Sequence, residues 1–184
     1  MSIENNPAEM LMNEHEIIQQ VESIIHSMDG LWEHDPEKYR AMVSKLLYFF
    51  REYSDVFHHR KEEDILFPEL VNHPDFLLNE IIDELEEHHE MFREYTQDIE
   101  DLIESDNLVK AHLLLTKYVN DLLDHIAVEN DELFSIAENL FTESQLENMY
   151  FRFKDIDLEL GEDLKNELEK IPQDLKNKLS ENAY

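Results

Sequence analysis

Apolar residues recur at helical spacing along almost the whole chain, and this periodicity constrains the fold more than any other feature. Only two glycines and five prolines interrupt it in 184 residues, so each of them is a candidate helix boundary. The pattern predicts four long helices joined by short connections, over residues 6–30, 35–68, 76–104 and 108–141. Because short connections make successive helices antiparallel neighbours, residues 1–141 are predicted to form an all-α, up-down-up-down four-helix bundle.

Residues 142–184 are predicted to form a C-terminal helical extension that packs on this bundle. Thr142 and Gln145 have the spacing of a capping box, which starts a fifth helix, and Gly161 ends it. We expect four apolar residues of this helix to pack against one end of the bundle: Phe151, Phe153, Ile156 and Leu158. A polar, helix-like tail follows, and the end of the chain is expected to be disordered.

Composition excludes several classes of function. Two glycines cannot build the glycine-rich phosphate loops of dinucleotide-binding and P-loop proteins. The absence of cysteine excludes disulfides, iron–sulfur clusters and thiolate zinc sites, so any metal must bind to His, Asp or Glu. A net charge of −30 repels phosphate backbones and anionic lipids, so neither nucleic acid nor a membrane is an expected partner. Without an apolar run of membrane-spanning length or a basic N-terminal segment, a cytoplasmic location is expected.

An internal repeat relates the two halves of the predicted bundle. The segment 58–67 aligns without gaps to the segment 125–134, and both follow the pattern His-x3-Glu-x-Asp-x-Leu-Phe. The preceding helix of each half also carries a matching His-Glu pair, which begins at His15 in one half and at His89 in the other. Each half is therefore predicted to direct one His and one His-x3-Glu motif to the middle of the bundle.

The repeated residues have the chemistry of a two-metal site. Residues four apart lie on the same face of a helix, so the His and Glu of each His-x3-Glu motif can bind the same ion. Imidazole and carboxylate ligands together suit iron, manganese or zinc. Four His and two Glu exceed a single tetrahedral site and suit two ions, with the two Glu as bridges. The predicted metal ligands are His15, His58, Glu62, His89, His125 and Glu129.

Adjacent residues leave alternatives open within these motifs. His58 and Glu62 compete with His59 and Glu63, and His89 competes with His88. The internal alignment favours His58 and Glu62, whereas helical periodicity does not choose between the pairs. The remaining histidines are assigned outside the site, with His26 in the core or an interface and His34, His73 and His112 at the surface.

Residues 10–140 resemble the hemerythrin-like, HHE cation-binding proteins, because all six predicted ligands occur in the order of that family. The end of the second predicted helix, Glu-Glu-x2-Leu-Phe-Pro from Glu62 to Pro68, also resembles the family pattern. The resemblance implies a four-helix bundle that holds a non-haem di-iron centre, with two Fe ions under an oxo or hydroxo bridge and two bridging carboxylates. It leaves the residues beyond 141 unexplained.

One position departs from this family. The oxygen-carrying hemerythrins have a fifth His one turn beyond the third-helix ligand, and Arg93 occupies that position here. The departure argues against dioxygen carriage of the invertebrate kind. A centre with fewer His ligands has more open coordination positions, which favours binding of, or reaction with, dioxygen, nitric oxide or peroxide.

The function predicted from the sequence is therefore that of a non-haem di-iron protein for sensing, delivery or detoxification of a small ligand. Two alternatives come from other classes. One is iron storage with ferroxidase activity, and the other is a metal-free helical module that binds a protein through its acidic surface. No acid–base or nucleophile constellation is separate from the predicted metal ligands, so no further catalytic site is predicted.

Overall fold

The computed structural model describes residues 5–180, which form helices, turns and loops and contain no strand. Eleven α-helical segments occur in this part of the chain: α1 (Pro7–Ile18), α2 (Val21–Ser27), α3 (Leu31–His34), α4 (Pro36–Phe49), α5 (Phe67–Asn72), α6 (Asn79–Glu104), α7 (Leu108–Val128), α8 (Phe134–Leu140), α9 (Glu143–Leu160), α10 (Glu162–Leu168) and α11 (Ile171–Ser180). Three π-helical segments join some of them: Phe50–His59, Glu62–Leu66 and Glu129–Leu133.

Local sequence signals fix the starts of three helices. The side chain of Asn6 accepts a hydrogen bond from the backbone N–H of Ala8 at the start of α1. Asp35 accepts one from the backbone N–H of Lys38 at the start of α4. In both cases a proline follows the capping residue, where its fixed φ suits the first helical turn. The predicted capping box of Thr142 and Gln145 is present at the start of α9.

The π-helical segments lie inside two long helices and do not end them. The helix from Pro36 to Asn72 contains the first two π-helical segments, and the helix from Leu108 to Leu140 contains the third. The first of these helices continues to Asn72, beyond its predicted end at Pro68. The reason is that Pro68 lies in the first turn of α5, directly after a π-helical segment, where a missing N–H costs little.

Side-chain contacts between the long helices occur in reversed order along the chain, as they do in antiparallel pairs. Between residues 6–29 and the helix from Leu108 to Leu140, the contact pairs are Asn6–Glu138, His15–Asn130 and Asp29–His112. Between the helix from Pro36 to Asn72 and α6, they are Arg51–Thr96, Asp55–Arg93 and Glu63–His89. These contacts place α1 and α2 beside α7 and α8, and α6 beside the helix that starts with α4.

The buried apolar side chains form two clusters. One surrounds Phe50 and Phe92, and the other surrounds Phe67 and Phe134. Buried histidines contact rings of both clusters: the ring of His125 lies 5.2 Å from that of Phe92, and the ring of His89 lies 5.8 Å from that of Phe67. A polar layer therefore separates two apolar regions of the core.

The C-terminal helices pack against the preceding ones. Helix α9 contacts α1 and the first two π-helical segments, and α11 contacts α2 and α4. Phe153 and Ile156 are buried, as expected, but the expected packing of Phe151 and Leu158 is wrong, because these side chains are 52% and 60% exposed. Helix α9 buries a single face, and these two residues lie on the other.

Other expectations for single residues also differ from the structure. His26 is exposed, which contradicts its expected place in the core but not the alternative of an interface. His112, expected at the surface, is only 6% exposed because it packs against the rings of Trp32 and Tyr39. Within the end expected to be disordered, α11 is helical and buries Leu175; residues 181–184 lie outside the described part of the chain. No helix among residues 5–180 is both long enough and apolar enough to cross a membrane.

Candidate metal centre

Seven buried side chains with metal-binding atoms lie together in the polar layer of the core, in two adjacent groups. Within each group the candidate ligand atoms lie within 4.8 Å of one another. The mixed group consists of His15, His58, Glu62 and Glu129, and the three-histidine group consists of His59, His89 and His125. None of the seven residues is more than 2% exposed, so they are shielded from bulk water.

The six residues predicted as ligands from the sequence all lie in these groups, and His59 is the one that the prediction missed. His58 and His59 were expected to be alternatives, but the structure brings both into the core, one into each group. Glu63 has a 29% exposed side chain at the edge of the site, and His88 is half-buried. Neither residue belongs to a group.

The π-helical segments explain how adjacent histidines both face the core. In a regular α-helix, neighbouring side chains point about 100° apart. His58 and His59 end the first π-helical segment, Glu62 opens the second and Glu129 opens the third. A π-helical turn bonds i to i+5 and so contains an extra residue, which changes the register of the residues around it. Such turns occur frequently at functional sites.

Hydrogen bonds in the mixed group fix the protonation of its histidines. Nδ1 of His15 lies 2.9 Å from the amide oxygen of Asn130, and Nδ1 of His58 lies 3.0 Å from a carboxylate oxygen of Glu14. Because these oxygens can only accept, each imidazole donates from Nδ1, which leaves Nε2 as the atom that can bind a ligand. The two Nε2 atoms are 2.8 Å apart, so they face each other in the core.

The three-histidine group is held in the same way. Nδ1 of His89 donates to Glu63 at 2.8 Å, and Nδ1 of His59 donates to Asp55 at 3.3 Å. The rings of His59 and His89 are stacked with centroids 3.7 Å apart, and Nε2 of His89 lies 3.2 Å from Nε2 of His125. The lone pairs on Nε2 of His59 and His89 are therefore available to a ligand inside the core.

Two glutamates lie between the groups. An oxygen of Glu62 is 3.6 Å from Nε2 of His58 in the mixed group and 3.6 Å from Nε2 of His89 in the three-histidine group. Glu129 places one oxygen 3.3 Å from His15 and the other 3.3 Å from His125. None of the four carboxylate oxygens has a hydrogen-bond partner within residues 5–180. Buried carboxylates without a partner are costly, so these two need a cation or a proton.

The electrostatics of the core favour neutral histidines. Burial lowers the pKa of His58 and that of His59 to about 4, and it lowers the pKa of His89 to about 3. Burial and the nearby Glu129 carboxylate raise the pKa of Glu62 well above its ordinary value. Burial opposes ionisation of Glu129, but His125 and His15 lower its pKa. At neutral pH His58, His59 and His89 are therefore unprotonated, which is the form that binds a metal.

Arg93 supports the three-histidine group from outside. Its guanidinium donates to Asp55 at 2.7 Å and to Glu63 at 2.6 Å, the two carboxylates that accept from His59 and His89. We call Arg93, Asp55 and Glu63 the arginine clasp. At the position where the oxygen-carrying hemerythrins have their fifth His, this chain therefore has a residue that fixes two other histidines. The fifth His of the candidate site is supplied by a different helix, as His59.

A small cavity of about 20 Å³ adjoins the three-histidine group. A single water molecule needs roughly 10–15 Å³ measured in this way, so the cavity has room for about one small molecule. Its wall includes His59, His89, Phe92 and Tyr118, and residues of the arginine clasp lie at its edge. Any ligand that reaches the histidines through this cavity must be small.

The donor set fits two cations better than it fits a metal-free core. Imidazole nitrogens and carboxylates without hydrogen-bond partners converge in a core where burial disfavours the protonated, positively charged form of His58, His59 and His89. A pair of cations would satisfy all of these groups together. The residues that could hold them are the five histidines and two glutamates of the mixed and three-histidine groups.

The model of the hemerythrin HHE cation binding domain matches residues 6–137. No curated protein and no solved structure matches the chain. The matched region covers more than half of the sequence and contains both groups of candidate ligands. The chain therefore belongs to the hemerythrin HHE cation-binding domain family.

Proposed function

We propose that this protein is a non-haem di-iron protein that binds or reacts with a small ligand: dioxygen, nitric oxide or peroxide. His15 and His58 would hold one ion, His59, His89 and His125 the other, and Glu62 and Glu129 would bridge them. The observation that carries the proposal is the position of the two glutamates, each of which lies 3.3–3.6 Å from one histidine of each group. Bridging carboxylates are what a two-ion site requires and a single-ion site does not.

The proposed fold is the antiparallel four-helix bundle predicted from the periodicity. Its support is the reversed order of contacts between the long helices, together with the position of the ligands. The mixed and three-histidine groups take their residues from α1, the helix from Pro36 to Asn72, α6 and the helix from Leu108 to Leu140, so the site needs all four to be in place.

Iron is proposed because the site combines imidazoles and carboxylates without any thiolate. This set suits iron, manganese and zinc, and membership of the cation-binding family is consistent with each of them. When bound, a pair of iron ions would supply a change of oxidation state and a coordination position for a small ligand. Arg93, Asp55 and Glu63 would keep Nε2 of His59 and His89 free of protons and directed inwards.

The ligand is proposed to be small because the cavity beside His59 and His89 has a volume of only about 20 Å³. Phe50, Phe92 and Tyr118 line it and exclude bulk water from the histidines. Arg93 was taken as evidence against dioxygen carriage because it replaces a fifth His, but His59 supplies a fifth His to the site. With five buried histidines, the site is not poorer in histidine than that of the oxygen carriers, so reversible dioxygen binding belongs among the proposed activities.

The test is metal content combined with a visible spectrum. Protein purified aerobically should contain about two irons per chain and show a charge-transfer band that dithionite removes and air restores. Glu62→Gln removes the charge of one bridge with little change of shape, so it should abolish loading of at least one position. His26→Ala, which changes an exposed histidine of α2, should load as the wild type does. Full loading of Glu62→Gln at both positions would contradict the assignment.

A further inference from the structure

Three buried charged side chains and one partly buried one meet beside the mixed group. Glu14 comes from α1, Lys61 precedes the second π-helical segment, Asp157 comes from α9 and Lys165 from α10. Lys61 is 0% exposed, Asp157 1% and Glu14 3%, and the side chain of Lys165 is 14% exposed. Fully buried lysines are rare because an ammonium group loses most of its hydration there, so this cluster requires an explanation.

The four charges alternate around a closed ring. Both Lys61 and Lys165 pair with Oε1 of Glu14. Asp157 pairs with Lys61 through Oδ1 and with Lys165 through Oδ2, each at 2.7 Å. We call these four residues the charge ring. Two carboxylates and two ammonium groups make it neutral overall, which is the condition for keeping four charges in a low-dielectric core.

Glu14 connects the charge ring to the candidate metal centre. Its Oε1 faces the two lysines, and its Oε2 accepts the hydrogen bond from Nδ1 of His58 at 3.0 Å. A carboxylate that accepts from Nδ1 fixes the tautomer of the imidazole and makes Nε2 a stronger ligand. The strength of this acceptor depends on how much of its charge is neutralised by Lys61 and Lys165, which in turn depends on Asp157.

Half of the charge ring lies outside the region that matches the family. The matched residues are 6–137, whereas Asp157 and Lys165 belong to the C-terminal segment, residues 142–180. That segment therefore does more than cover apolar surface, since it places two charges next to a carboxylate that touches a candidate ligand.

We propose that Asp157 and Lys165 are positioning residues for the mixed group: by holding Glu14 they keep the proton of His58 on Nδ1 and set the affinity of this group for its ion. The inference rests on the proposed metal-binding function. Replacement of Asp157 by a neutral residue leaves both ammonium groups on one carboxylate, which weakens Glu14 as an acceptor for His58. The three-histidine group has its own support in the arginine clasp and is unaffected.

Three variants test this. Asp157→Asn keeps the shape of the side chain but leaves the ring with an excess positive charge. The double variant Asp157→Asn, Lys165→Gln restores neutrality through the remaining pair of Lys61 with Glu14. Glu159→Gln is the matched control, because Glu159 also joins α9 to the second long helix, but through an exposed ion pair with Arg60 at 3.1 Å.

The first readout needs no metal. Long-range proton–nitrogen correlation spectra of the metal-free protein report which nitrogen of His58 carries the proton. We expect Nδ1 in the wild type and in Glu159→Gln, a shift of population towards Nε2 in Asp157→Asn, and recovery in the double variant. A loss of packing alone would make the double variant worse than the single one.

The second readout is titration of the metal-free protein with cobalt(II), with His15→Ala used to identify the binding step of the mixed group. Asp157→Asn should weaken that step about tenfold or more and leave the other step unchanged, since loss of a residue that supports a ligand typically costs 10–100-fold in affinity. The double variant should recover most of this loss.

Two results would overturn the proposal. One is a His58 spectrum and a mixed-group affinity that are the same in Asp157→Asn as in the wild type. The other is equal weakening of both steps with an unaltered His58 spectrum, which shows a general structural role. If the wild type binds neither cobalt nor iron, the proposed function fails, and the His58 spectra alone then decide whether Asp157 and Lys165 position this residue.

Discussion

The charge ring and the arginine clasp perform the same task at different depths in the protein. In each, a carboxylate accepts the Nδ1 proton of a buried histidine and is itself paired with a cation. The charge ring is closed over by α9 and α10, and three of its residues are at most 4% exposed as side chains. The side chains of the arginine clasp are 27–32% exposed.

The two arrangements differ in exposure to solvent, and this difference determines how completely their charges must be paired within the protein. In the arginine clasp, water solvates the outer faces of the charged groups, so a single guanidinium can pair with two carboxylates and an excess of negative charge is tolerated. In the charge ring, where three of the four side chains are at most 4% exposed, solvation contributes much less, and the charges depend on oppositely charged neighbours. The buried support should therefore be more sensitive to loss of one member, and less sensitive to salt, than the exposed one.

The largest effect is expected from Lys61→Met. It leaves Glu14 and Asp157 in the core with Lys165 as their only ring partner, so the free energy of unfolding should fall by about 3–5 kcal/mol. Urea denaturation of the metal-free protein measures this. Lys154→Met is the control, because Lys154 contacts Asp157 from the surface with a 38% exposed side chain and should cost no more than about 0.5 kcal/mol. Equal losses of unfolding free energy in the two variants would contradict the claim that buried ion pairs contribute more to stability than exposed ones.

Acid should destabilise the metal-free protein through the histidines that both regions support. Burial lowers the pKa of His58 and of His59 from 6.5 to about 4, so between these values the unfolded state binds more protons than the folded state. Stability should therefore fall as the pH drops from about 6.5 to about 4, by about 3 kcal/mol for each histidine. Urea midpoints measured across this range test the expectation, and a midpoint independent of pH would contradict it.

Glu62 should act in the opposite direction in the same titration. Its pKa is raised by burial and by Glu129, so its contribution to stability is complete below the unfolded value of 4.5 and is lost as the pH rises through the folded value. Glu62→Gln in the metal-free protein should remove this loss and make the protein more stable at alkaline pH. A Glu62→Gln variant that is no more stable than the wild type there would contradict the assignment of the pKa shift.

A smaller effect is expected from Arg93→Gln. Because the arginine clasp is about one-third exposed, loss of the guanidinium should cost about 1 kcal/mol of stability. Thermal unfolding of Arg93→Gln and Arg93→Lys measures this loss. Lysine keeps the positive charge but cannot pair with Asp55 and Glu63 through one planar group, so the difference between the two variants shows how much of the stability comes from the charge alone. A loss as large as that of Lys61→Met would show that exposure does not govern these supports.

The smallest effect is the response to salt. Raising the ionic strength shortens the range of interactions between exposed charges, which is about 10 Å at 0.1 M. The stability difference between the wild type and Arg93→Gln should therefore shrink at high salt, whereas that between the wild type and Lys61→Met should persist. Denaturation at low and high sodium chloride concentration measures both differences.

The sequence predicted the elements of this protein well because its signals are local. Prolines, caps and apolar spacing locate most helix boundaries, and the repeat of His-x3-Glu identifies six of the seven residues that the structure brings together. His59 was missed because a regular α-helix directs the side chains of adjacent residues about 100° apart, so only one of His58 and His59 was expected to face the core. A π-helical turn changes which neighbours share a face, and no local rule indicated that the helix widens at His58 and His59.

The charge ring was not predictable from local patterns. Lys61 lies in a run of charged residues, His-His-Arg-Lys-Glu-Glu, which is typical of a solvated helix face. Its burial depends on Asp157 and Lys165, which are about a hundred residues further along the chain and reach it only through tertiary packing. The wrong prediction that Phe151 and Leu158 are buried has the same origin, since tertiary packing determines which face of α9 is buried.

The most direct test of the central claim is an anomalous diffraction map, measured at the iron absorption edge, from crystals of the aerobically purified protein. We predict two peaks per chain, one beside His15 and His58 and the other among His59, His89 and His125, with Glu62 and Glu129 between them. A single peak, or no peak at the iron edge in crystals soaked anaerobically with ferrous ion, would contradict the proposed di-iron centre.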